Sequence, residues 1–158
     1  MWKGVSIKFM KNKLQPGKDY IGVGGGVLII NKKNEVLLKK RGPKSRNEVG
    51  WWEKTGGMID YGEKAIPAMK RETREELGIE INIIGYFPYT DHIIPRDSQH
   101  WIGLNYLGVI KKGTPENMEP GKCDEICWFS IKKLPKKTVQ PVRESVRNYL
   151  EGKYIRLK

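Results

Sequence analysis

The sequence has few of the residues that build zinc sites and disulfide frameworks. Among its 158 residues are two cysteines, Cys123 and Cys127, and two histidines, His92 and His100. A single pair of cysteines at this spacing, without a second pair, is a poor zinc site, and two thiols make no disulfide framework. Both cysteines are therefore expected to be reduced and partly buried.

Long apolar runs are also missing. The longest, residues 21–30, is interrupted by four glycines and is too short to span a bilayer. Residues 1–13 mix charged with apolar side chains and lack the continuous apolar block of a signal peptide. We therefore expect a cytoplasmic protein that has no membrane partner.

Acidic residues are scarce relative to basic ones. Lysine and arginine total 30 against 18 acidic residues, which gives a formal charge of +12. Such a surplus attracts polyanions such as nucleotides or nucleic acid. The basic residues are nevertheless spread along the whole chain, and no aromatic RNA-binding motif accompanies them. A solvated basic surface is the favoured interpretation, and nucleic acid is not expected as a partner.

What is present predicts one α/β domain over residues 1–158. Apolar periodicity and turn residues predict strands over 5–10, 20–30, 35–39, 58–60, 79–89, 101–110 and 126–130, and helices from 63 or 64 to 77 and over 141–151. The expected architecture is a mixed central sheet between helices. In the second helix, Val142, Val146 and Leu150 are predicted to lie on one buried side.

The end of the first predicted helix carries three glutamates. Glu72, Glu75 and Glu76 are spaced so that a helix places them on one face. Like charges so close to the negative end of a helix are unfavourable unless a polyvalent cation binds them. Carboxylate oxygens suit Mg²⁺ or Mn²⁺. Because the other face of this helix is apolar, we expect the three acids to converge and to point away from the core.

These glutamates belong to a longer pattern, GMIDYGEKAIPAMKRETREELGI at residues 57–79, which we call the box. The box resembles that of the Nudix hydrolase family, in which a glycine, a glutamate and the run Arg-Glu-U-x-Glu-Glu-x-Gly-U hold fixed places, U being bulky and apolar. The matching residues are Gly57, Glu63, Arg71, Glu72, Glu75, Glu76, Gly78 and Ile79. Thr73 stands where an apolar residue is usual, and Thr55 stands where a proline often precedes the paired glycines. The likeness covers about residues 20–135.

The resemblance implies an α/β/α sandwich and a site for Mg²⁺, with Mn²⁺ as a possible substitute. It assigns Glu72 and Glu76 as the main metal ligands, with Glu75 assisting and the Gly56 carbonyl as a further contact. The metal would polarise a phosphate and activate a water molecule.

The same resemblance suggests catalytic residues. A carboxylate accepts the proton of the attacking water, and the candidates are Glu75 and the loop residue Glu119. Glu119 is alternatively a metal ligand, and a solvent-exposed acidic turn without a catalytic role is an equal alternative for it. Glu63 and Arg71 lie eight residues apart and are expected to brace the site, with Arg71 compensating part of the acidic charge.

Four residues are candidates for binding substrate. Trp52 and Trp101 have rings that can stack on a base, although most aromatic residues in a domain of this size are structural. Lys39 and Arg41 can bind phosphates, although a solvated face is an equal alternative. The glycines at 22 and 24–26 match no phosphate-binding motif and are better explained as small residues that leave room for a ligand.

The sequence therefore predicts a Mg²⁺-dependent, MutT-like hydrolase that converts a nucleoside triphosphate into a monophosphate and pyrophosphate. ADP-ribose or another nucleoside diphosphate sugar is the alternative substrate. A non-catalytic module that binds nucleotides or nucleic acid is the alternative of another class, which the complete set of box acids disfavours. The predicted partners are a small nucleotide and, as one alternative assembly, a second copy of the chain.

Overall fold

The computed structural model describes residues 13–158, and the predicted strand over residues 5–10 lies outside them. The elements, in chain order, are β1 (Gly22–Ile30), β2 (Glu35–Arg41), β3 (Trp52–Glu53), β4 (Thr55–Met58), α1 (Ala65–Leu77), β5 (Glu80–Ile94), β6 (Gln99–Lys112), β7 (Cys123–Ser130), α2 (Gln140–Leu150) and β8 (Ile155–Arg156). A 3₁₀ turn at Pro95–Asp97 joins β5 to β6.

All eight strands of the described residues belong to one mixed sheet. Its main path runs β3-β2-β1-β6-β5-β8, while β4 pairs with β1 and β7 pairs with β2. The β1–β6 pairing is parallel, and the other pairings between named strands are antiparallel. This confirms the predicted mixed sheet.

Alternation along β1 divides the core into two layers. Val27 and Ile29 pack on the side of α1, in a cluster that includes Met69. Leu28 and Ile30 pack on the opposite side, in a cluster with Val142 and Val146 of α2. Successive side chains of a strand point to opposite faces, so one strand serves both layers. The predicted α/β/α sandwich is confirmed.

The helix that carries the box ends at Leu77 as predicted and begins within two residues of its predicted start. It begins at Ala65, so Pro67 lies in the first turn, where its missing N–H breaks no helical hydrogen bond. It ends at Gly78, which has a left-handed backbone with φ of 67° and donates its N–H to the Arg74 carbonyl.

The prediction for Leu150 is wrong, because its side chain is 55% exposed. The buried stripe of α2 continues from Val146 to Tyr149, whose ring stacks on Tyr154 at a centroid distance of 5.6 Å. The chain turns at Gly152 and brings Tyr154 to this position, which leaves Leu150 outside the stripe. Within residues 13–158, no helix combines the length and apolarity needed to cross a membrane.

Candidate active site

A cleft of about 640 Å³ has a floor made largely of glycine. Gly24–Gly26 of β1 lie between Gly56–Gly57 of β4 on one side and Gly103 of β6 on the other. Without side chains, these strands leave open the space that larger residues would fill. Gly24–Gly26 therefore line the cleft, as expected of small residues that leave room for a ligand, whereas Gly22 packs against the Trp101 ring outside it.

The paired glycines of β4 are required by close contacts. Gly56 has φ of 148°, and a Cβ there would lie 2.1 Å from the carbonyl oxygen of Gly25. A Cβ on Gly57 would lie 2.7 Å from the carboxyl carbon of Glu72. Larger residues at either place would collide with backbone or with the glutamate. The pair thus lets the Glu72 carboxylate rest against the backbone at the edge of the cleft.

Glu76 points inward, contrary to the prediction that the box acids face away from the core. Its side chain is 8% exposed, and its carboxylate contacts the Lys39 ammonium. The other carboxylate oxygen accepts hydrogen bonds from Thr55 Oγ1 at 2.7 Å and from the Gly56 N–H at 3.1 Å. Burial raises the pKa of Glu76, and the charge of Lys39 opposes that shift. The last glutamate of the box therefore ties α1 to β2 and β4.

Arg71 braces the other acids, as predicted. It donates two hydrogen bonds to Glu63, at 3.0 and 2.9 Å, one to Glu72 at 2.9 Å and one to Glu75 at 3.1 Å. These hydrogen bonds from Arg71 lower the pKa of Glu63. The lining of the cleft does not include Glu63, Arg71 or Glu75. These residues therefore act in the cleft only through the contact of Arg71 with Glu72, or after a change of side-chain conformation.

The three carboxylates consequently do not converge. Glu72 rests on Gly57, Glu75 is exposed beside Arg71, and Glu76 is buried beside Lys39. Among residues 13–158, no group of three histidine, cysteine or acidic side chains is placed to hold a metal ion without rearrangement. The repulsion between like charges at this spacing is reduced here by Arg71, which Glu72 and Glu75 share, and by Lys39 beside Glu76.

Lys39 and Arg41 line the cleft but are engaged within the protein. Lys39 is 7% exposed and lies 3.2 Å from Glu53 in addition to its contact with Glu76. Arg41 contacts the second oxygen of Glu53. Although burial opposes it, the charges of Glu53 and Glu76 raise the pKa of Lys39. Because these two cations are paired with buried acids, their charge is largely compensated within the protein.

The two predicted tryptophans have different positions. Trp101 lines the cleft, with its ring against Gly17 and Gly22 and with the Arg46 guanidinium 5.2 Å from the ring centroid. Trp52 does not line the cleft, because it is 9% exposed and packs edge-on against Phe129 in the core. The structure therefore contradicts Trp52 as a substrate contact, since side-chain alternation in β3 points it toward α2.

Glu119 lies in the cleft wall, as a loop residue near the box acids was expected to do. Its carboxylate accepts a hydrogen bond from Lys122 Nζ at 2.9 Å. That hydrogen bond raises the pKa of Lys122, so this lysine keeps its charge at the mouth of the cleft.

Sequence reasoning missed Lys54, a buried lysine on the cleft floor. Its ammonium donates to Asn105 Oδ1 at 2.5 Å, to Ser145 Oγ at 2.8 Å and to the Pro141 carbonyl at 3.3 Å. Burial lowers the pKa of Lys54 to about 7, against the opposing charge of Glu144. No local pattern marks this residue, because its partners lie 51 to 91 positions away.

Lys54 should make stability depend on pH. Between pH 7 and its ordinary pKa of 10.5, the unfolded chain holds a proton on Lys54 that the folded protein lacks. Stability therefore rises with pH in this window. Relative to Lys54→Met, the wild type should gain about 2 kcal/mol between pH 7 and pH 9 in urea unfolding. An equal pH dependence of the two proteins would show that Lys54 keeps its ordinary pKa.

Known proteins resemble this chain over most of its length. The NUDIX domain family matches residues 21–149. A MutT NUDIX hydrolase from Burkholderia pseudomallei is 32% identical, with a TM-score of 0.73 over 80% of this chain and 95% of that one. An RNA pyrophosphohydrolase from Pelagibacter ubique is 27% identical over 135 residues, which are 85% of this chain and 76% of that protein.

A NAD-capped RNA hydrolase, NudC, from Stutzerimonas stutzeri is 26% identical over 136 residues, or 86% of this chain. These residues are 46% of the NudC protein, so this chain spans about half the length of that relative.

Proposed function

This chain belongs to the Nudix domain family, and on that premise we propose that it hydrolyses a phosphoanhydride bond of a nucleoside triphosphate, releasing a monophosphate and pyrophosphate. The observation that carries the proposal is one cleft that contains Glu72, Gly56 and Glu119. The same cleft is lined by six basic side chains, Lys39, Arg41, Lys44, Arg46, Lys54 and Lys122, of which Lys39 and Arg41 are already paired with buried acids. Acids alone would repel a triphosphate, whereas acids that hold a cation and bases beside them attract it.

The donor set of the cleft fits a hard divalent cation. Glycine at position 57 makes room for the Glu72 carboxylate at the cleft edge, and Glu119 supplies a second carboxylate from another wall. We propose that these two residues hold Mg²⁺ or Mn²⁺, with the Gly56 carbonyl, and that Glu75 assists after a change of rotamer. Glu76 joins them only by exchanging its contact with Lys39. When bound, the cation neutralises phosphate charge and lowers the pKa of a coordinated water.

The chain's own residues orient the reactants. Arg71 holds Glu72 in place through a 2.9 Å hydrogen bond, and Glu63 fixes Arg71 in turn. Lys44 and Lys122 stand at the wall formed by residues 119–122, where they can hold phosphate oxygens. We propose that Glu119, whose side chain is 31% exposed, binds the cation through one carboxylate oxygen and accepts the proton of the attacking water on the other.

The 5′ end of RNA is a second candidate substrate. Two relatives, matched over 86% and 85% of this chain, are named NAD-capped RNA hydrolase and RNA pyrophosphohydrolase. The formal charge of +12 and the basic residues of the cleft suit a polyanion that extends beyond one nucleotide. The chemistry at the box would be the same, because a 5′ triphosphate and a cap both contain phosphoanhydride bonds.

A substrate panel tests the proposal. The protein is incubated with Mg²⁺, with Mn²⁺ or with EDTA. The substrates are the common nucleoside triphosphates, an oxidised purine triphosphate, ADP-ribose, NAD-capped RNA and 5′-triphosphorylated RNA. We expect monophosphate and pyrophosphate from at least one triphosphate, and no product in EDTA. Products are separated by anion-exchange chromatography.

Each outcome of the panel has one meaning. If only ADP-ribose were hydrolysed, the substrate would be a nucleoside diphosphate sugar and not a triphosphate. If only RNA were hydrolysed, the second candidate substrate would be favoured. Binding of nucleotide or RNA without any turnover, with Mg²⁺ and Mn²⁺ both tried, would contradict hydrolysis and leave a binding module.

A further inference from the structure

Glu48, in the loop that follows β2, has a backbone that L-residues rarely adopt. Its φ is 46°, in the left-handed region, and it is one of three non-glycine residues with positive φ among residues 13–158. The Glu48 N–H donates to Asp97 Oδ2 at 3.1 Å, and its carbonyl accepts from the Trp51 N–H at 3.1 Å. These contacts hold the strained conformation. Such backbone strain is frequent at sites where a ligand is bound.

The Glu48 side chain is 8% exposed and belongs to the cleft wall. Its Oε2 atom accepts no hydrogen bond from the described residues, although His92 Nε2 lies 3.2 Å away. Its Oε1 atom lies 3.7 Å from the Arg96 guanidinium, beyond hydrogen-bond length. A buried carboxylate normally accepts several hydrogen bonds. Oε2 is fully buried, so Oε1 is the atom through which Glu48 can accept a hydrogen bond from a ligand in the cleft.

A network of hydrogen bonds fixes Glu48 relative to Trp101. Gln99 Oε1 accepts from Asn47 Nδ2 at 2.6 Å and from Trp101 Nε1 at 2.8 Å. The loop before β3 and the tip of the β5–β6 hairpin thus form one wall of the cleft. Glu48 and the Trp101 ring are both parts of this wall, and the box acids that line the cleft, Glu72 and Glu76, lie on α1.

The chemistry of an unused carboxylate limits what can bind beside it. A phosphate is excluded, because two anions repel each other in a partly buried site. The remaining groups of a nucleotide that donate hydrogen bonds are the ribose hydroxyls and the N–H groups of the base. Both are neutral, and both can approach a carboxylate next to an aromatic ring.

We propose that Glu48 is a specificity-determining residue whose carboxylate accepts hydrogen bonds from neutral donors of the nucleoside, with His92 and Arg96 holding it in position. The proposal rests on the proposed function, since it concerns the nucleoside part of the same substrate. A site built to bond a donor rejects an analogue that lacks it, because the buried acceptor is then left unpaired. The protein should therefore discriminate by the presence of a hydroxyl or an amino group.

The experiment compares one substrate with two analogues. For the nucleotide that the wild type hydrolyses fastest, kcat and KM are measured for that nucleotide, for its 2′-deoxy form and for the form whose base lacks the exocyclic amino group. We expect the wild type to prefer the complete nucleotide to at least one analogue by about tenfold or more. Glu48→Gln should reduce this preference to within about threefold, mainly by raising KM for the complete nucleotide.

Two further variants separate specificity from folding. Glu80→Gln removes the same charge from an exposed position outside the cleft and should keep the preference of the wild type. Glu48→Asn keeps a residue that tolerates a left-handed backbone and should lose the preference without a lower Tm. If both Glu48 variants lost the preference and also had a lower Tm, the loss would be explained by damage to the fold, and the proposal would be overturned.

If the wild type did not prefer the complete nucleotide to its analogues, or if Glu48→Gln had the same preference as the wild type, the role of Glu48 would be overturned and the proposed function would not. An equal fall of kcat for all three substrates at constant KM would also overturn it, because that pattern belongs to the chemical step. Absence of hydrolysis is a failure of the proposed function instead. In that case calorimetric binding of the nucleotide and its two analogues to wild type and Glu48→Gln decides the question, and equal affinities, or no binding, contradict the proposal.

Discussion

Replacement of Glu72 by glutamine should lower kcat/KM for the preferred nucleotide by about 10³-fold while the Tm stays within a few degrees of the wild type. A metal ligand contributes several kcal/mol to the transition state, and each 1.4 kcal/mol changes a rate tenfold. The fold should tolerate the change, because glutamine has the same shape and still fits against Gly57. Loss of one negative charge also reduces repulsion at the end of α1.

The matched control for this experiment is Glu80→Gln. Glu80 begins β5, is exposed, and pairs only loosely with Lys111 at 3.9 Å. Its replacement removes one charge without touching the cleft, so kcat/KM should stay within about twofold, as for ordinary surface changes. A Glu72→Gln enzyme that retained more than a tenth of wild-type kcat/KM would contradict the metal assignment.

Local pattern was sufficient for the parts of the site that depend on helix geometry. The limits of α1, the left-handed Gly78 and the brace between Glu63 and Arg71 all follow from residues less than three helical turns apart. The box motif is itself local, so the sequence could point to Glu72 and Glu76.

Partners distant in the chain were not predictable in the same way. Glu76 meets Lys39 across 37 positions, and only the packing of α1 on β2 brings them together. Helical periodicity predicts that Glu76 shares a face with Glu72, but it does not show that the end of this face packs against β2 and β4. Trp52 was misassigned for a related reason, because a two-residue strand gives too little alternation to show which face it uses.

Replacement of Lys39 by methionine should destabilise the protein by about 3–5 kcal/mol, since it leaves the buried Glu76 carboxylate without its cation. This corresponds to a fall in Tm of roughly 10 °C for a domain of this size. Lys40→Met is the matched control, because Lys40 is the next residue of the same strand and its side chain is directed to the opposite face. Its effect should be within about 0.5 kcal/mol of zero, and an equal effect of the two changes would contradict the buried ion pair.

The Lys39 variant also tests how Glu76 takes part in metal binding. With Lys39 removed, Glu76 keeps its hydrogen bonds to Thr55 and Gly56 but has a free negative charge at the cleft. If Glu76 can serve as a ligand, Mg²⁺ should raise the Tm of Lys39→Met more than that of the wild type, because a ligand that binds only the folded state stabilises it in proportion to its affinity. Equal Tm shifts in a Mg²⁺ titration of both proteins would show that Glu76 stays a structural residue and that Glu72 and Glu119 bind the metal without it.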